Sequence, residues 1–198
     1  MKIIVVDGLE NTVFDSGAAK PTLFLKPDSA LLKDNKPFFI PDVVKTLSFN
    51  LALVIRINRL GKNISTRFAH RYYNEITLGV DLFDGLLLDE SMSTGSSWDL
   101  AKGFDGSAVQ GQFIDLPENS LSDLHIAFQM NNGIKKRVET LSLTKSVDEL
   151  IAYISQYYTM KIGDLLFINL SLKGEDLKTN QRFEGFLENN KVLDFYIR

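Results

Sequence analysis

The chain has 198 residues, with 22 Lys and Arg against 25 Asp and Glu for a formal charge of −3, and 44% of it is hydrophobic. That length and apolar content predict one domain, residues 1–198, with a substantial core and with residues 1–20 as a short leading segment. The near-neutral charge argues against nucleic acid, the absence of cysteine excludes disulfides and Cys-ligated zinc, and neither a membrane-length apolar run nor a signal-peptide layout is present, so a cytoplasmic protein is expected.

In chain order, residues 2–6 (KIIVV), 22–25 (TLFL) and 38–40 (FFI) read as short strands. The clearest strand is 47–58. Leu47, Phe49, Leu51, Leu53, Ile55 and Ile57 share one face, and Ser48, Asn50, Ala52, Val54, Arg56 and Asn58 share the other, which is period-two alternation. Gly61-Lys62-Asn63 turns the chain, Ser65 caps a short helix through about Tyr73, and 76–82 (ITLGVDL) returns as a strand. Residues 91–97 (SMSTGSS) read as a loop, with 85–97 as a candidate lid.

Asn132-Gly133 predicts a hairpin joining 124–130 to 134–143, because Asn-Gly adopts the positive φ of a type I′ turn; Asn189-Asn190 predicts a second one joining 182–188 to 191–197. Between them, Ser146 and Glu149 form a capping box before a helix with Val147, Leu150, Ile151 and Ile154 as its buried stripe. Gly163-Asp164 then turns into strand 165–170. The fold class read from these elements is β-rich α+β with two short helices.

Familiar catalytic motifs are missing. His70 and His125 have no second histidine at ligand spacing, and there is no G-x-S-x-G elbow, P-loop or G-x-G-x-x-G. The acidic group Asp81, Asp84, Asp89 and Glu90 reads as a solvated loop after a strand.

Three stretches nevertheless carry a joint signature. They are Phe24-Leu25-Lys26-Pro27-Asp28-Ser29-Ala30-Leu31, the strand 47–57 leading to Gly61-Lys62-Asn63-Ile64-Ser65, and Trp98-Asp99-Leu100-Ala101-Lys102-Gly103-Phe104-Asp105-Gly106. Together they resemble the fumarylacetoacetate hydrolase family, over most of the chain and in order. The resemblance implies a mixed β-roll, as in that family's C-terminal domain, and a homodimer. It also implies a Mg²⁺ or Mn²⁺ site that polarises small oxo-acids for hydrolysis, decarboxylation or isomerisation. Three carboxylates hold that ion, as a hard cation requires.

Carried over position by position, the first two ligand glutamates of the family fall on Asn50 and Ala52, and the third ligand, an aspartate, is kept as Asp81. The family's substrate-facing lysine is kept as Lys102, its arginine four positions after the aspartate becomes Gly85, and its late T-G-T-P motif falls on Ile168-Asn169-Leu170-Ser171. The His-x-x-Glu pair of its lid has no counterpart before His70.

The sequence therefore predicts a fumarylacetoacetate hydrolase-like protein that is non-catalytic or a small-acid binder, with no metal and no other cofactor. Asp81 is a residual ligand paired with Lys102, while Lys102, Asp81, Asn50 and Asp105 bind a small carboxylic or oxo-acid. The alternative is an active hydrolase or isomerase with a rebuilt site around Asp81 and Lys102, with Lys102 catalytic and Asp84, Asp105 or Glu90 assisting. Arg56 is too far along its strand, about 13 Å from position 52 at ~3.3 Å per residue, to replace the ion.

Overall fold

The computed structural model describes residues 1–7, 20–116, 121, 124–138 and 143–198, with 143–146 described by their backbone. Strands dominate. The elements are β1 (Ile3–Asp7), β2 (Thr22–Lys26), β3 (Leu31–Leu32), β4 (Leu47–Ile57), α1 (Thr66–Ala69), β5 (Tyr73–Asp84), α2 (Gly85–Thr94), α3 (Asp99–Lys102), β6 (Ala108–Gln110), β7 (Ile114–Asp115), β8 (Ile126–Met130), β9 (Lys136–Val138), α4 (Leu143–Tyr157), β10 (Leu165–Gly174), β11 (Arg182–Leu187) and β12 (Asn190–Tyr196).

The larger sheet runs in the order β2-β1-β10-β4-β5-β6-β3, with β7 also paired to β5, and the smaller in the order β12-β11-β8-β9. The sheet is mixed: β1 lies parallel to β10 and β3 parallel to β6, while the central β10-β4-β5 pairs are antiparallel. β4 sits between two long neighbours, so its faces from Leu47 to Ile55 are both buried. Leu51, Leu53 and Ile55 enter a core that also receives the smaller sheet and α4. Ala52 and Val54 enter a second cluster with Ile3, Val5, Leu165 and Phe167. Four phenylalanines tie the sheets together: Phe183 lies 5.1 Å from Phe49, 5.5 Å from Phe128 and 5.0 Å from Phe195 between ring centroids.

Most predicted strands are present, and β4 carries the predicted alternation. Several boundaries move. The 76–82 strand extends to 73–84 and the 165–170 strand to 174. Phe38 forms only an isolated bridge to Ile197, so 38–40 is not a strand. The predicted loop at 91–97 is helical up to Thr94: Asp84 caps α2 by accepting from the Leu87 N–H at 3.3 Å, and Gly95 closes it at φ 68°. Local capping at both ends outweighs the polar, small-residue composition that suggested a loop.

Two turns shift by one residue. In the β8–β9 hairpin the positive φ angles fall on Asn131 and Asn132, at 52° and 56°, and Gly133 N–H closes the turn on Met130 at 2.8 Å. The β11–β12 turn is Glu188-Asn189, with Glu188 at φ 51°. The part of the predicted second strand at 139–142 lies outside the described residues. Because α4 begins at Leu143, Ser146 is inside its first turn and is not its cap, while Val147, Leu150, Ile151 and Ile154 are buried as the spacing requires. The short helix after Ser65 forms as α1 followed by a 3₁₀ turn at His70–Tyr72, with no side-chain cap from Ser65.

Candidate functional site

Register across β4 and β5 sets the site. Asn50 is opposite Asp81 and Ser48 is opposite Phe83, while β10 brings Asn169 opposite Ala52. Period-two geometry then puts Ser48, Asn50 and Ala52 on one face with Asp81 and Phe83. β2 crosses the same region and ends at Lys26, and the last turn of α3 delivers Lys102. Gly103 closes α3, where a Cβ would meet the helix's own Asp99 O at 2.7 Å.

Asp81 is completely buried. Its Oδ1 forms an ion pair with Lys26 Nζ at 2.7 Å, both side chains being fully enclosed. Lys26 Nζ also donates to Leu82 O and Ser107 O, each at 2.8 Å, while its contact with Asp81 Oδ1 is a close charge pair that does not meet hydrogen-bond geometry. The other oxygen, Oδ2, accepts from Asn169 Nδ2 at 3.0 Å and Asn50 Nδ2 at 3.4 Å, and Lys102 Nζ stands 3.5 Å away.

Lys102 is held differently. Besides Asp81, its ammonium lies 3.8 Å from Asp7 Oδ2 on the half-exposed end of β1, and it rests on the rings of Phe24 and Phe83 at 4.2 and 4.5 Å. The nearest partner of Asp81 is therefore Lys26, with Lys102 the second, more distant cation; this corrects the expectation of a simple Asp81–Lys102 pair. Asn169 Oδ1 is buried without a hydrogen-bond partner.

Burial pulls the Lys26 ammonium down from 10.5 to about 8, opposed by the charge and close contact of Asp81 and assisted by the charge of Lys102. Burial alone would raise the Asp81 carboxyl, but Lys26, Lys102 and the Asn169 hydrogen bond together hold it below its ordinary 3.8. One carboxylate thus faces two ammonium groups.

That donor set suits a hard dication poorly. Such ions need several oxygen ligands with negative charge, whereas here one carboxylate is already paired, Asn50 turns an N–H toward it, and Ala52 offers a methyl group inside an apolar cluster. Among the described residues, no three His, Cys, Asp or Glu side chains converge.

The structure brings Lys102, Asp81 and Asn50 together and leaves Asp105 exposed in the turn before β6, outside the cluster. Asp84 is committed to the α2 cap and to the N–H groups of Lys45 and Thr46, and Asp89 and Glu90 are exposed on α2 rather than in a loop. Arg56 pairs with Glu75 at 2.9 Å and covers the Phe113 ring at 3.7 Å. Leu170 packs against the main core, and both histidines are exposed. Sequence reasoning missed Lys26 and Asn169. Lys26 was visible as the lysine of the F-x-K-P stretch, and strand parity puts Asn169 on the opposite face of β10 from Leu170.

A fumarylacetoacetate hydrolase C-terminal family model matches residues 8–168. The chain belongs to the fumarylacetoacetate hydrolase family. The mitochondrial oxaloacetate tautomerase of Bos taurus is 27% identical over 182 residues, covering 90% of this chain and 81% of its own length. A solved structure described as a putative fumarylacetoacetate hydrolase family protein from Yersinia pestis superposes with a TM-score of 0.86 at 23% identity, over 100% of this chain and 92% of that one. Fumarylpyruvate hydrolase from Pseudomonas aeruginosa, solved with Mn²⁺ and pyruvate, superposes with a TM-score of 0.79 at 19% identity, over 100% and 89%. The family's fold is thus present throughout the described residues, and none of their helices is long and apolar enough to cross a membrane.

Proposed function

We propose that this family member binds small carboxylic or oxo-acids without a divalent ion, with Lys102 receiving the carboxylate. The observation that carries the reading is the unequal use of the two lysines. Lys26 donates to two carbonyls and stands 2.7 Å from Asp81, whereas the partners of Lys102 stand at 3.5 and 3.8 Å and one of them, Asp7, is half exposed. An incoming carboxylate gains a charge-assisted contact at Lys102 without breaking the Asp81–Lys26 pair.

Charge supports the same reading. Replacing two glutamates by Asn50 and Ala52 removes two negative charges, and omitting a dication removes two positive ones, so the attraction for an anion survives both losses together. Asn169 Oδ1, buried and unpaired, suits a hydroxyl or enol on the ligand. The pyruvate in the fumarylpyruvate hydrolase structure makes it a natural probe.

Calorimetric titration with pyruvate tests this. Binding is expected in EDTA, unchanged by Mn²⁺, and absent in Lys102→Met, which keeps most of the side-chain stem. Binding that requires Mn²⁺, or turnover abolished by chelator, would overturn the reading. Turnover that ignores chelator but disappears in Lys102→Met would instead establish a rebuilt active site.

A further inference from the structure

Beside the lysine cluster lies a second feature. A cavity of about 210 Å³ is lined by Thr46, Ser48, Phe83, Gly85, Leu86, Asp89 and Glu175. Ser48 is 1% exposed, and its Oγ has no hydrogen-bond partner. A buried hydroxyl left unpaired costs free energy, so a group able to hydrogen-bond with it is favoured in the space it faces. The carboxylates of Asp89 and Glu175 belong to exposed residues of the lining, and among the described residues no basic side chain is part of it. The cavity holds about seven water-sized groups at ~30 Å³ each.

Its place along the sheet matters. Ser48 precedes Asn50 by two residues on β4, and Phe83 follows Asp81 by two on β5, so the cavity lies roughly 6–7 Å along the same sheet face from the Asp81 cluster. Phe83 serves both: its ring carries Lys102 Nζ at 4.5 Å and also lines the cavity.

We infer that this cavity receives the far end of the ligand, and that Ser48 selects a small monocarboxylate bearing a hydrogen-bond donor, a hydroxyl or an amine, at the end opposite its carboxylate. This rests on the proposed seat for the carboxylate at Lys102. Ser48 Oγ accepts from the donor, and the negative charges of Asp89 and Glu175 favour it over a second carboxylate. Dicarboxylates are rejected because their far carboxylate meets two acidic side chains and no cation.

The test is a ligand series of matched length, butyrate, succinate, 4-hydroxybutyrate and 4-aminobutyrate, titrated into the full chain in EDTA. The hydroxy and amino acids should bind roughly three- to tenfold more tightly than butyrate, the range of one added hydrogen bond, with succinate weakest. In Ser48→Ala the advantage of 4-hydroxybutyrate should vanish while butyrate affinity stays the same, a separation that a merely structural serine would not produce, and 4-aminobutyrate should keep only the part owed to Asp89 and Glu175. Succinate binding as tightly as the donor-bearing ligands, or a 4-hydroxybutyrate advantage that survives Ser48→Ala, overturns the role of Ser48 and leaves the carboxylate seat intact. Failure of all four, and of pyruvate, to bind overturns both.

Discussion

Lys26 and Asp81 form an enclosed pair in which Lys26 also serves two buried carbonyls, so removing its side chain costs more than removing its charge. A buried ion pair contributes little over an apolar pair of the same size, but removing one partner strands the other. Lys26→Met would leave Asp81 with amides and an ammonium 3.5 Å away, and should lower the unfolding free energy by about 3–5 kcal/mol in urea denaturation. The pH dependence has a definite sign. Because Lys26 falls from 10.5 to about 8 in the folded chain, the folded state releases its proton first, and stability attributable to this group rises as pH increases from 8 to 10.5. Lys26→Met should not show this rise. Asp81 acts on the acid side. Its contribution is complete above 3.8 and is lost as pH falls through its lower folded value, so Asp81→Asn should flatten the acid limb of the stability profile.

At the level of elements, packing and local capping pull apart what sequence can and cannot reveal. β4 was legible because Leu51, Leu53 and Ile55 alternate with Asn50, Ala52 and Val54 over eleven residues, and α4 because its apolar stripe repeats at helical spacing. α2 was not, since its polar second half lacks an apolar face; only the Asp84 cap and Gly95 announce it, and both also fit a turn. Within the site, motif positions gave Asp81, Asn50 and Lys102, but the partnership of Lys26 depends on β2 reaching β5 and β6 across a sheet in which these strands are not neighbours. Contacts of that kind leave no local pattern. Close approach of strands leaves a subtler mark, as at Gly79 in β5. A Cβ there would stand 2.6 Å from Val54 Cγ2, 2.7 Å from Phe167 Cε1 and 2.7 Å from the Val109 carbonyl, which is backbone and does not yield. Gly79→Ala should therefore destabilise the chain by about 1–3 kcal/mol although alanine costs less backbone entropy, as measured by urea unfolding at neutral pH.

Over the whole molecule, one core receives side chains from the larger sheet, the smaller sheet and α4, so events at the Asp81 site are read out in the melting of the entire chain. A ligand bound only by the folded state adds about 2.7 kcal/mol at a hundred times its dissociation constant. For a chain of 198 residues, that corresponds to a rise in Tm of roughly 5–11 °C. Pyruvate, or a better carboxylate from the matched series, should produce this rise, and 1 mM Mn²⁺ alone should not. The order should reverse in the double variant Asn50→Glu/Ala52→Glu. Position 52 is wholly buried among apolar side chains, so two added carboxylates next to Asp81 lower the Tm when no cation is present. Mn²⁺ then meets three carboxylates and should restore the Tm by several degrees, while Mg²⁺ follows more weakly. A Mn²⁺-dependent rise in the wild-type chain equal to that of the double variant would mean that Asn50 and Ala52 are no obstacle to the ion, and the carboxylate reading would then have to include it.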